Sequence, residues 1–130
     1  MKKNKKASPA YTSQTMLDSI VKGIEEKKGN NIQIFDLRNI GHAVSDYFVI
    51  CNADSGTQVD AIAYSVEHEV KENTGISPWK SEGFENREWI LIDYADVVVH
   101  VFQTPIREFY KLERLWADAI VTNVTNETIQ

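Results

Sequence analysis

Apolar residues recur along this chain with two different periods. Met16, Leu17, Ile20, Val21 and Ile24 fall on one helical stripe. Ser13 suits an N-cap before it, and Lys27, Lys28 and Gly29 suit its C-terminal end. A second stripe, Val59, Ile62, Ala63, Val66 and Val70, follows Ser55 and Gln58, which are spaced as in a capping box. Gly75 stops that helix, and Asp60, Glu67, Glu69 and Glu72 form its solvated face. Elsewhere the apolar runs are short and β-branched, as strands require. They predict strands over Ile32 to Leu37, Tyr47 to Cys51, Trp89 to Asp93 and Val97 to Phe102. Ser77 to Phe84 reads as a short strand that Pro78 confines to an edge. Asp93-Tyr94-Ala95-Asp96 reads as a turn exposing two carboxylates and a phenol. Pro105 opens a third helix with Ile106, Phe109, Leu112, Leu115 and Trp116 on its inner face.

The order is α-β-β-α-(β)-β-β-α. It predicts a single α/β domain, residues 13–120, with a mixed four- to five-stranded sheet flanked by three helices. Residues 1–12 read as a flexible basic arm and 121–130 as a flexible polar tail.

The chain has 130 residues, 42% of them hydrophobic, so one packed core is expected. Net charge is −5, unevenly spread: Lys2, Lys3, Lys5 and Lys6 sit at the start, and the remainder carries −9. Such a body repels phosphate backbones; it suits either a basic partner or plain solubility, and charge alone does not choose. Cys51 is the only cysteine, which excludes an internal disulfide and suits a small core residue. No apolar run approaches membrane-spanning length and no signal-peptide pattern follows the lysines, so the expected location is the cytoplasm.

The sequence offers little catalytic chemistry. Ser55-Gly56 before a helix and the pair Asp93 and Asp96 weakly suggest a nucleotidyltransferase, whose paired carboxylates hold metal ions. The spacing argues against it: in an extended strand, residues three apart face opposite ways. Positive charge to grip a triphosphate is also missing, since residues 39–70 contain no Lys or Arg. His100 has no neighbouring histidine to complete a metal site. The expectation is a protein with no metal, no cofactor and no catalytic residues. Trp89 and Tyr94 among acids either form a protein-binding hot spot or simply cover the sheet edge.

Four motifs together carry a resemblance. They are Ser45-Asp46-Tyr47-Phe48-Val49-Ile50, then Glu82-Gly83, then Trp89 through Phe102, then Arg107 through Trp116. The chain resembles the Iojap-type ribosomal silencing factors over about residues 15–118. It departs from them at Asn52-Ala53-Asp54-Ser55-Gly56 and in the lysine arm. The resemblance implies a nucleotidyltransferase-like fold without its active site. It also implies a docking role, in which the chain binds the large ribosomal subunit through its fourteenth protein. The small subunit then cannot join, and translation falls when nutrients are scarce. Organelle relatives imply the alternative of ribosome biogenesis. On that reading Trp89, Asp93, Tyr94, Asp96 and His100 are the expected contacts, with Glu82 and Tyr47 outside them. The Lys2–Lys6 arm would touch RNA phosphates, and a homodimer through a strand edge or the third helix stays open.

Overall fold

The computed structural model describes residues 12–124; the Lys2–Lys6 arm and residues 125–130 lie outside the described residues. The first stripe folds as α1 (Ser13–Glu26). Its cap is Thr12 rather than Ser13: Thr12 is extended, and its side chain accepts a hydrogen bond from Thr15 N–H. Lys28, at φ 63°, makes the left-handed turn expected of Gly29. The second stripe folds as α2 (Gly56–Thr74), stopped by Gly75 at φ 77°. Ser55 Oγ accepts from Gln58 N–H at 3.1 Å. The Gln58 side chain does not close the capping box. It donates to Lys27 O and Lys28 O, tying α2 to the end of α1. The two helices touch at Gly23, where a Cβ would lie 2.7 Å from Val66 Cα, so only glycine permits the approach.

The strands are β1 (Asn30–Asp36), β2 (Tyr47–Ala53), β3 (Lys80–Glu82), β4 (Trp89–Asp93), β5 (Val97–Gln103) and β6 (Ile120–Asn123). They form one mixed sheet in the order β3-β4-β5-β2-β1-β6, in which β2 and β5 run parallel and the other neighbours antiparallel. Six strands replace the four to five expected. The extra one, β6, begins where the sequence reads as a fraying tail. All four of its residues are exposed, so no hydrophobic pattern marks it; the β1 ladder recruits it.

The predicted third helix is two pieces, α3 (Thr104–Tyr110) and α4 (Leu112–Leu115), broken at Lys111 with φ 50°. The break overturns part of the predicted inner face: Phe109 and Leu115 are 77% and 73% exposed, while Ile106, Leu112 and Trp116 pack inward as expected. The bend is held by Arg107, which is buried. Its guanidinium donates to Asn31 O (2.7 Å), Asn52 Oδ1 (2.8 Å), Gln33 Oε1 (2.6 Å) and Glu113 Oε2 (3.0 Å). One side chain thus joins β1, β2, α3 and α4.

Both sheet faces are packed, unequally. Under α1 and α2 lies the main core, including Met16, Ile20, Ile24, Val49, Val59, Ile62, Val66, Ile90, Ile92, Val99 and Val101. Each such side chain contributes roughly 1.5–3 kcal/mol by leaving water. Cys51 belongs to this core, and burial pushes its thiol up to about 12. The opposite face has a smaller core of Phe35, Leu37, Ile50, Phe102 and Leu112 beneath α3 and α4. Toward β3 and β4 that face is only half covered: Trp89, Leu91 and Asp93 are partly exposed.

Candidate partner-docking surface

Strand register decides which of the expected contacts meet. Directly opposed residues share a face of the sheet. Three rows follow on the half-covered face. Glu82, Leu91, His100 and Ile50 form one; Lys80, Asp93, Val98 and Phe48 the next; Trp89, Phe102 and Asn52 the third. Glu82, Trp89, Asp93 and His100 are therefore brought together from β3, β4 and β5. Asp96 is exposed in the adjoining β4–β5 turn. Tyr47 and Tyr94 do not join this face.

Tyr94 is the main correction. Expected in an exposed turn, it is 6% exposed and packs in the core beneath the helices. The turn proper is shorter than the sequence suggests. Asp93 Oδ1 accepts from Ala95 N–H at 2.7 Å, and Ala95 reverses the chain at φ 74°. Tyr94 therefore continues the alternation of Ile90 and Ile92 onto the helix side. Among the described residues its buried hydroxyl has no partner; burial and, secondarily, the charge of Glu67 push its ionisation well above the usual phenol range. Tyr47 is half-buried against the same core, with the Arg38 guanidinium 5.2 Å above its ring. It positions the turn through its backbone: the N–H groups of Asp46 and Tyr47 both donate to Asp96 O.

His100 lies on the expected face but is only 4% exposed. Its Nδ1 accepts from the indole Nε1–H of Trp89 at 3.1 Å, and burial lowers the imidazole to about 4. Trp89 is half-buried between Phe102 (4.8 Å between ring centroids) and Tyr110 (5.1 Å). It borders a shallow hollow of 250 Å³ lined with Glu82, Gly83 and Leu91. Gly83 shapes that hollow: at φ 97°, a Cβ would sit 2.1 Å from Trp89 O. Phe48, Lys80, Leu91 and Tyr110 belong to this surface and were not among the expected contacts. Leu91 was legible as the period-two partner of Trp89 and Asp93; Tyr110 was not, because its meeting with Trp89 depends on how α3 packs on the sheet.

The charge of the surface is mixed. Glu82 pairs with Lys80 at 3.3 Å, and Asp93 is engaged at Ala95, while Glu85, Glu88 and Asp96 are exposed. Among the described residues no three His, Cys, Asp or Glu side chains converge as metal ligands, and no helix is long and apolar enough to cross a membrane. A larger cleft of 630 Å³ lies behind α3, between Asn31, Arg107 and Asn123. Its floor is the Arg107 network, already bonded within the chain. The arrangement offers an aromatic anchor beside a hollow, ringed by charge, which is the composition of a protein-binding patch.

A family model described as ribosomal silencing factor during starvation matches residues 10–130. The ribosomal silencing factor of Bacillus subtilis is 44% identical over 95 residues, covering 73% of this chain and 79% of that protein. Its counterpart in Halalkalibacterium halodurans is 38% identical over 108 residues, covering 83% and 91%. A crystal structure of a Chromobacterium violaceum protein has a TM-score of 0.78 at 34% identity, covering 82% of this chain and 88% of the other. The fold and these matches place the chain in the ribosomal silencing factor family.

Proposed function

We propose that this protein represses translation as a steric block on the large ribosomal subunit. The β3–β4–β5 face docks on the subunit's fourteenth protein, and the bulk of the domain then keeps the small subunit from joining when nutrients are scarce. The observation that carries this reading is the row geometry: Glu82, Trp89, Leu91 and Asp93 share a half-covered face around a 250 Å³ hollow. A family member has reason to keep such a face open, since half-buried aromatic and aliphatic groups gain most from a partner. The body's net negative charge favours a basic protein surface over bare RNA. A standard interface of about 800 Å² per partner is within reach of a domain this size. A steric block needs no bond made or broken, so titration with magnesium and a nucleoside triphosphate should give no saturable heat.

Gradient sedimentation with purified subunits tests the reading. Wild type should travel with the large subunit and prevent formation of whole ribosomes. The exposed double charge reversal Glu82→Lys with Asp96→Lys should keep its circular dichroism spectrum and lose co-sedimentation. Retained binding by a folded double variant removes this face from the proposal. The Lys2–Lys6 arm adds an RNA contact in this proposal. Deleting residues 1–10 should weaken binding and flatten its salt dependence, and an unchanged affinity and slope refutes the arm's role.

A further inference from the structure

We infer that His100 is a positioning residue: it touches no partner itself and instead holds the Trp89 indole in the orientation that the docking face presents. This rests on the docking reading above and assigns the roles within it. At 4% exposure, the imidazole of His100 is out of a partner's reach. Its surroundings are aromatic, with Phe48 edge-on at 4.7 Å and Phe102 stacked at 6.2 Å. Among the described residues its ring makes one hydrogen bond, from Trp89 Nε1–H to Nδ1 at 3.1 Å, and its buried Nε2 makes none. That bond decides the tautomer: Nδ1 accepts, so the proton sits on Nε2.

The register explains why this pair exists. His100 is opposed to Leu91, and Trp89 to Phe102, so the two rings meet on the diagonal, a distance that long aromatic side chains span. A half-buried indole N–H needs an acceptor. His100 fills that need with a neutral nitrogen. Phe102 and Tyr110 then flank the ring, leaving it beside the hollow with Glu82, Gly83 and Leu91. An anchor held in advance loses less freedom on binding than one that must be ordered.

Three variants separate this role from plain packing. His100→Phe keeps an aromatic ring and deletes the acceptor. His100→Asn returns an acceptor oxygen near the Nδ1 position. Trp89→Ala removes the anchor and tests the docking reading itself. Two quantities are read: solvent exchange of each tryptophan indole N–H by NMR, with Trp79 (75% exposed) as an open reference, and affinity for purified large subunits. In wild type the Trp89 indole N–H should exchange far more slowly than that of Trp79. His100→Phe should speed exchange at Trp89 alone and weaken subunit binding roughly two- to tenfold, and His100→Asn should restore both. Wild-type exchange at Trp89 as fast as at Trp79 overturns the inference without any variant. So does a His100→Phe protein with unchanged exchange, or with faster exchange and full affinity while Trp89→Ala loses binding. If Trp89→Ala binds normally, the docking reading fails instead, and the exchange measurements still decide whether His100 holds the ring.

Discussion

Replacing Arg107 should cost more stability than any other single polar substitution in this domain. The guanidinium makes four hydrogen bonds, to Asn31 O, Asn52 Oδ1, Gln33 Oε1 and Glu113 Oε2. Arg107→Met keeps the aliphatic stem and removes all four bonds; Asn52 Oδ1 keeps only a 3.3 Å bond from Asn31 Nδ2. Asn52 is buried and has little access to water as compensation, whereas the Glu113 side chain is partly exposed. Removing one member of a fully buried ion pair costs about 3–5 kcal/mol. The Glu113 side chain is 34% exposed and water can reach it, so the loss here should be about 2–3 kcal/mol. Against a total stability of about 5–15 kcal/mol, that loss is large. With a urea slope of about 1–3 kcal/mol per molar, the unfolding midpoint should fall by about 0.7–3 M. Glu113→Gln should cost less alone. The double variant should cost less than the two losses together, since Glu113 is no longer left as an unpaired carboxylate. The damage should also be local at first: α3 and α4 should lose hydrogen-exchange protection before α1 and α2 do. A midpoint shift below about 0.5 M, or a fully additive double variant, would falsify the view that Arg107 clamps the α3–α4 bend.

Other perturbations test separate features. Tyr94→Phe removes a buried hydroxyl that has no partner, so it should leave stability unchanged or raise it by up to about 1 kcal/mol. Tyr94→Ala should cost about 3–5 kcal/mol in urea unfolding, as a core truncation does. Stability should fall on acidification through His100. Unfolded, the imidazole titrates near 6.5; folded, near 4, so the unfolded chain takes the proton first. The loss should accumulate between about pH 6.5 and 4, approach ~3 kcal/mol at about 1.36 kcal/mol per pH unit, and stop below that window. Urea midpoints compared between wild type and His100→Phe across this range would isolate the contribution. Gly83→Ala should cost over about 1 kcal/mol by thermal melting, since the left-handed φ of 97° and the close approach to Trp89 O both exclude a side chain.

Local interactions made α1, α2 and five of the strands legible in the sequence, the edge strand β3 among them. Val59, Ile62, Val66 and Val70 announce a helix wherever the chain goes, and Ser55 and Gly75 bound it through neighbours a few residues away. The same holds for the alternation of Trp89, Leu91 and Asp93 against Ile90 and Ile92. The β3–β4–β5 face proposed for docking was legible in part: Glu82, Trp89, Asp93 and Asp96 were identified, but not the reason they converge. That convergence depends on register between β3, β4, β5 and β2, whose partners lie far apart along the chain, as Ile50 does from His100. The inward turn of Tyr94 depends on one carboxylate, Asp93, capping the next-but-one N–H. β6 has no buried residue to betray it, and forms because β1 offers an open ladder. The bend at Lys111 has no glycine to mark it; Arg107, reaching Asn31 and Asn52 from across the sheet, holds the chain there. Short-range spacing and capping chemistry act within a few residues and are written in the sequence. Register, burial on the second face and the Arg107 clamp arise between distant segments, so only the packed chain decides them.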